Sequence, residues 1–170
     1  MVANGGDPGF RPVEQDLIVT RAFDAPRDLV FRAWTESERL KRWWGPRGFT
    51  MPYCEIDLRP GGIFLRCMRS PEGRDLWVTG VFREVVASER LVFTDSFADA
   101  EGNVVPAEHY GLEPGLPLER LVMVTFEEHA GSTTVTVRHA GLLPGEERDL
   151  VRHGWAGGLD SLAEYLAMAS

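Results

Sequence analysis

The chain has little of what most dedicated chemistry requires. It carries two cysteines, Cys54 and Cys67, and four histidines scattered over 170 residues. Neither set shows metal-ligand spacing, so no structural metal is expected. No G-x-G-x-x-G, G-x-x-x-x-G-K-S/T or G-x-S-x-G frame occurs, and Gly61-Gly62 stands alone. That removes the phosphate-cradling loops and the strained nucleophile turn. Neither a nucleophile triad nor a carboxylate dyad stands out, so no catalytic residue is assigned and no cofactor is expected. Positive charge is also scarce. A net charge of −8 leaves no cationic stripe to release counterions from a phosphate backbone, which argues against a nucleic-acid partner. No apolar run approaches the roughly 20 residues of a membrane span, and the Gly-rich start lacks the apolar centre of a signal peptide. A cytoplasmic protein without a membrane span is the expectation. No internal repeat is visible.

What is present suffices for one core, since 170 residues at 44% hydrophobic content suit a single domain. The chain is organised around its last stretch, Gly145 to Ala167. There Val151, Trp155, Leu159, Leu162 and Leu166 recur at helical steps and share one arc, while His153, Gly157, Asp160 and Glu164 fall on the far side. Gly158 also projects near the apolar stripe. Glycine costs about 1 kcal/mol in a helix relative to alanine, and a missing side chain at that place leaves space.

Before that helix the pattern is mostly strands. Residues 1–15 are rich in Gly, Pro and small residues and read as a disordered tail, with one domain over 16–170. Asp16 to Phe23 has the alternation and β-branched content of a strand. Pro26 suits the first turn of a short helix carrying Leu29, Val30, Ala33 and Trp34, and Ser37 is placed to cap a second over Glu38 to Trp43, stopped by Gly45-Pro46. Strands are then expected at Phe49–Leu58, Ile63–Arg69, Leu76–Val86, Arg90–Phe97, Leu121–Glu127 and Thr133–His139. The Gly- and Pro-rich segment from Ala98 to Pro117 is the longest loop.

The first of these hairpins turns at Arg59-Pro60-Gly61-Gly62. A turn centred between Pro60 and Gly61 places Cys54 opposite Cys67 and Glu55 opposite Arg66. It produces one apolar face, Cys54, Ile56, Leu58, Ile63, Leu65 and Cys67, and one mixed face, Tyr53, Glu55, Asp57, Phe64, Arg66 and Met68. The apolar face is assigned to the interior, although mixed residues can also line a ligand cavity. The cysteines should be neighbours and reduced, since a reducing compartment and cross-strand strain both oppose a disulfide.

The segments FDAPRDLVFRAWTESERLKRWWGPRGFT, CEIDLRPGGIF, GVFREVVASERLVFT and HGWAGGLDSLAEYL resemble, in order, the SRPBCC or START-like superfamily. Within it they resemble the branch named for the activator of the heat-shock-protein-90 ATPase homologue. The resemblance covers about residues 16 to 168 and implies an α+β helix-grip fold: a curved antiparallel sheet wrapped around a long C-terminal helix, with two short helices after the first strand and an apolar cavity between sheet and helix. The superfamily includes lipid and sterol carriers, hormone and polyketide binders, aromatase/cyclases and co-chaperone domains, so the fold does not settle the function.

On this resemblance the cavity candidates are Trp43, Trp44 and Phe49 after the short helices, Cys54, Phe64, Arg66 and Met68 in the first hairpin, Trp77, Phe93 and Phe97 in the next, Tyr110 in the long loop, His139 at the last strand end, and Trp155, Gly158, Leu159 and Leu162 on the helix. Trp43 and Trp44 either rim a pocket or serve the core. Arg66 either anchors a carboxylate or pairs with Glu55 across the strands. His109-Tyr110 could transfer protons but equally anchors a loop. His139 shares the parity of Val135 and Val137 and should point inward with a hydrogen-bond partner, whereas His153 should be solvated.

The leading expectation is a binding protein that encloses a hydrophobic or aromatic small molecule. Two alternatives stand beside it: a cyclase- or dehydratase-type enzyme using the same cavity, and a chaperone-interacting module. The chaperone-related domain normally accompanies a larger N-terminal domain, for which this chain has no room. A homodimer stays open.

Overall fold

The computed structural model describes residues 16–112, 116–142 and 145–169; the tail expected over residues 1–15 lies outside them. Among the described residues seven strands form one curled antiparallel sheet: β1 (Leu17–Phe23), β2 (Thr50–Ile56), β3 (Ile63–Arg69), β4 (Asp75–Val86), β5 (Arg90–Ala98), β6 (Arg120–His129) and β7 (Ser132–His139). Their spatial order is β1-β7-β6-β5-β4-β3-β2. The chain therefore meanders from β2 to β7, and β1 closes onto β7 with Leu17 opposite His139 and Phe23 opposite Thr133. Two short helices, α1 (Arg27–Thr35) and α2 (Ser37–Leu40), follow β1, and α3 (Glu146–Ala169) ends the chain.

Periodicity explains the packing. Leu159, Leu162 and Leu166 of α3 are buried in a core shared with Val30 and Trp34 of α1 and Phe126 and Val135 of the sheet. The opposite side of α3 is held at the surface, where Asp160 pairs with Arg21 and Glu164 pairs with Arg47 at 2.6 Å. Pro26 is the N-cap of α1, and Ser37 is the first residue of α2 rather than its cap, that place being taken by Glu36. Hydrogen-bonded turns carry the chain from α2 to Trp44, whose N–H donates to Leu40 O.

The β2–β3 hairpin departs from expectation by one residue. Cys54 lies opposite Arg66, Glu55 opposite Leu65 and Ile56 opposite Phe64, and such a slip exchanges the faces of the affected strand. Phe64 and Arg66 are buried on the concave side and Ile63 is 58% exposed; the predicted apolar interior face and the Glu55–Arg66 pair are both corrected. The physical cause is tertiary. Gly61 N–H donates to Phe82 O and Phe82 N–H donates to Gly62 O, so the loop is tied to β4 instead of closing as an independent two-residue turn. Gly62 is needed there, because a Cβ would stand 2.0 Å from Asp57 O. Both cysteines are free, but they are not cross-strand partners: Cys67 faces Tyr53 across the ladder.

Gly80 marks a second close approach. It lies opposite Phe64 in the ladder, and a Cβ there would meet Thr94 O at 1.9 Å and the Phe64 ring at 2.5 Å. The absent side chain lets Phe64 lie across the sheet, where it contacts Phe82 and Phe93 at ring separations of 5.7 and 5.6 Å. Among the described residues no helix is long and apolar enough to cross a membrane.

Candidate functional site: the cleft between sheet and helix

Four of the five tryptophans converge where α2, α3 and the sheet meet. Trp34 stacks on Trp155 at 5.9 Å, while Trp44 meets Trp34, Trp43 and Trp155 edge-on at 5.3 to 5.7 Å. Trp43 is largely structural, with its Nε1–H donating to Ala33 O. Edge-on and stacked ring pairs hold one another in place beyond their area of burial, so the aromatic wall is preorganised.

Beside that wall lies a cleft of about 260 Å³. Trp43, Trp44, Gly45 and Pro46 border it on one side; Met68, Leu76, Val78, Asp95 and Phe97 line it from the sheet; Val151, Gly154, Trp155 and Gly158 line it from α3. A Cβ added at either Gly154 or Gly158 would meet no atom within 4 Å. The helix thus forgoes about 1 kcal/mol of propensity at each glycine and leaves room in return. A second lobe of about 130 Å³ shares Val78, Asp95, Phe97, His139 and Val151 with the cleft and extends towards Leu118 and Arg120.

The polar groups are few. His139, at the end of β7, is 6% exposed and accepts a hydrogen bond at Nδ1 from Trp155 Nε1–H at 3.1 Å. With Nδ1 accepting, the neutral ring carries its proton on Nε2. Arg66 is also 6% exposed. Its guanidinium carbon lies 4.3 Å from the Trp44 ring centroid and 4.4 Å from that of Phe64, and its Nε is buried without a hydrogen-bond partner. Burial pushes this guanidinium below its ordinary pKa, with the Asp95 carboxylate acting in the opposite sense. Burial likewise pushes the facing Cys54 thiol up, so the thiol supplies no counter-charge. A void of about 20 Å³ adjoins Arg66, Trp44, Phe64 and Phe93.

Of the sequence candidates, Trp43, Trp44, Met68, Phe97, His139, Trp155 and Gly158 border the cleft, and Phe64, Arg66 and Phe93 border the adjoining void. Leu159 and Leu162 belong to the closed core, and Cys54 packs half-buried against it. Phe49 sits behind Gly45, within 3.6 Å of where a Cβ would stand. Trp77 is corrected: strand parity puts Leu76 and Val78 inward and Trp77 on the convex face, against Tyr53 at 5.6 Å. Tyr110 is corrected too, since its hydroxyl accepts Trp77 N–H and donates to Ala98 O and so pins a strand end. His109 stays in that loop beside it, and His153 is exposed. Gly154 and Asp95 went unread, and Val151 was read only as part of the helical stripe. Asp95 had a signal: it interrupts the inward alternation Leu91, Phe93, Phe97 with an acid.

A larger surface depression of about 730 Å³ is bordered by Glu36, Glu38, Arg39 and Glu164, with Tyr165 and Met168; Glu36 and Arg39 already pair with each other. Among the described residues no three His, Cys, Asp or Glu side chains converge to hold a metal.

A curled sheet gripping a long C-terminal helix, with a cleft between them, defines the helix-grip, START-like class. The chain belongs to the family of Activator of Hsp90 ATPase homolog 1-like proteins, whose family model matches residues 24–167. It is similar to a protein of Nitrosomonas europaea, 29% identical over 94% of this chain and 98% of that one, with a TM-score of 0.74. A Chromobacterium violaceum protein is 25% identical over 89% and 96% of the two chains, with a TM-score of 0.72. The AHSA1 protein of Silicibacter pomeroyi is 26% identical over 91% and 99%, with a TM-score of 0.70. No curated protein matches the chain.

Proposed function

We propose that this protein binds a small apolar or aromatic molecule between sheet and helix. The observation that carries the reading is the pair of glycines, Gly154 and Gly158, one turn apart on the cleft side of α3 with nothing within 4 Å of either absent side chain. A structural helix would place bulk there. The surrounding wall is aromatic and aliphatic, with Asp95 and His139 as its sparse polar groups, which is the composition of ligand pockets generally. At about 260 Å³ the cleft is at the small end of such pockets and suits a molecule of one or two rings. Burial supplies the affinity, and the few polar groups orient the ligand. Native mass spectrometry of freshly purified protein, together with titration of the neutral apolar dye Nile red, tests this. The expected result is a saturable site that Gly158→Leu abolishes; no dye binding in the parent protein would overturn it.

The cyclase or dehydratase alternative draws on Asp95 and His139, which border both lobes and have acid–base capacity. It requires that a ligand recovered from the protein be converted on incubation, by loss of one water for dehydration or by a changed chromatographic retention at constant mass for ring closure. Unchanged mass and retention leave the binding function alone.

A further inference from the structure

We infer that the ligand is a carboxylate, held by Arg66 from the void behind Trp44. The inference rests on the binding reading above and adds the chemical class of what binds.

Arg66 is a fixed cation with five N–H donors, buried on the concave face. Among the described residues it has no ion pair, and its Nε meets no acceptor. Its neighbours are the Trp44 and Phe64 rings, which attract a cation through their faces but do not satisfy its donors. A buried charge without hydrogen-bonding partners is costly. The chain offers poor internal remedies. Cys54 opposite is a neutral thiol, and Glu55 is turned to the other face of β2 by the hairpin register. Asp95 contributes attraction from a distance without forming an ion pair with Arg66.

The place of this charge is specific. Trp44 borders both the 20 Å³ void beside Arg66 and the 260 Å³ cleft, so it is the partition between them. Displacing that one ring, against its edge-on contacts with Trp34, Trp43 and Trp155, would join the two spaces and bring the N–H edge of Arg66 to a ligand already lying in the cleft. A guanidinium binds a carboxylate through two parallel hydrogen bonds in one plane, and the apolar surroundings strengthen both. The ligand's rings or aliphatic part would fill the cleft over Gly158. The protein as a whole carries −8 and repels anions at long range, so a preference for an acid over its neutral twin must come from a local cation.

The test compares naphthoate with naphthamide, which share a ring system and differ in charge, by calorimetry and tryptophan fluorescence on the intact chain at neutral pH. Naphthoate should bind more tightly by about tenfold or more, and Arg66→Met should erase that margin while Nile red binding persists. Equal affinities in the parent protein, or a margin that survives Arg66→Met, would overturn the inference and make Arg66 a structural cation. If Arg66→Met does not fold, the parent comparison decides alone, supported by Trp44→Leu, which removes the partition and should speed naphthoate association. Nile red binding without an acid preference sinks only the carboxylate inference; no binding of any of the three probes sinks the ligand reading as well.

Discussion

The two halves of α3 contrast. Its C-terminal half presents Leu159, Leu162 and Leu166, each at most 4% exposed, to Phe126, Val135 and the short helices. Its N-terminal half presents Val151, Gly154, Trp155 and Gly158 to the cleft. One continuous helix thus fills the sheet at one end and stands away from it at the other. The lesson is that rigidity and room are separable here: the leucine half fixes the helix on the sheet, and the glycine half can then leave space without loosening the fold.

The sharpest way to break that contrast is to hollow out the closed half. Leu162→Ala should cost about 2–5 kcal/mol, read as a fall in the urea midpoint at constant slope. Nile red should then gain a second site or lose its defined one. Gly80→Ala comes next. Its methyl would collide with Thr94 O and the Phe64 ring, and the forced backbone shift should cost about 1–3 kcal/mol or more, measured in the same way.

In the open half the same class of change should behave oppositely. Gly158→Leu gains somewhat under about 1 kcal/mol of helix propensity and some apolar burial, so its thermal midpoint should hold or rise while Nile red binding disappears. A strongly destabilised variant would mean that the cleft closes in solution and that the contrast between the halves is not real. The smallest effect belongs to the outer side of the helix. Arg21 and Asp160 are 37% and 52% exposed, so Asp160→Asn should cost no more than about 1 kcal/mol, and less in high salt. Urea melts at two ionic strengths check it.

Legibility followed the same division. The strands from β3 to β7, the helical stripe and the spare room at Gly158 were all readable, because each rests on a local period or on one residue's missing side chain. The Trp43-Trp44 pair was readable as aromatic bulk but not as a wall, since only the fold brings Trp34 and Trp155 to it. Gly154 escaped because it lies outside the leucine steps that defined the stripe. Trp77 was misplaced although its strand was found: in an alternating strand, a large ring on the convex face looks the same as one on the concave face until a neighbour sets the parity.

The sequence by itself determined the order of elements, the single core and the amphipathic helix, because backbone propensity and hydrophobic period act over a few residues. Only the tertiary structure decided which face of the first hairpin looks inward. Its loop is hydrogen-bonded to Phe82, some twenty residues away along the chain, and a one-residue shift of register exchanges the two faces. That shift decides between the two places the sequence left for Arg66: instead of pairing with Glu55 it is buried beside the void behind Trp44.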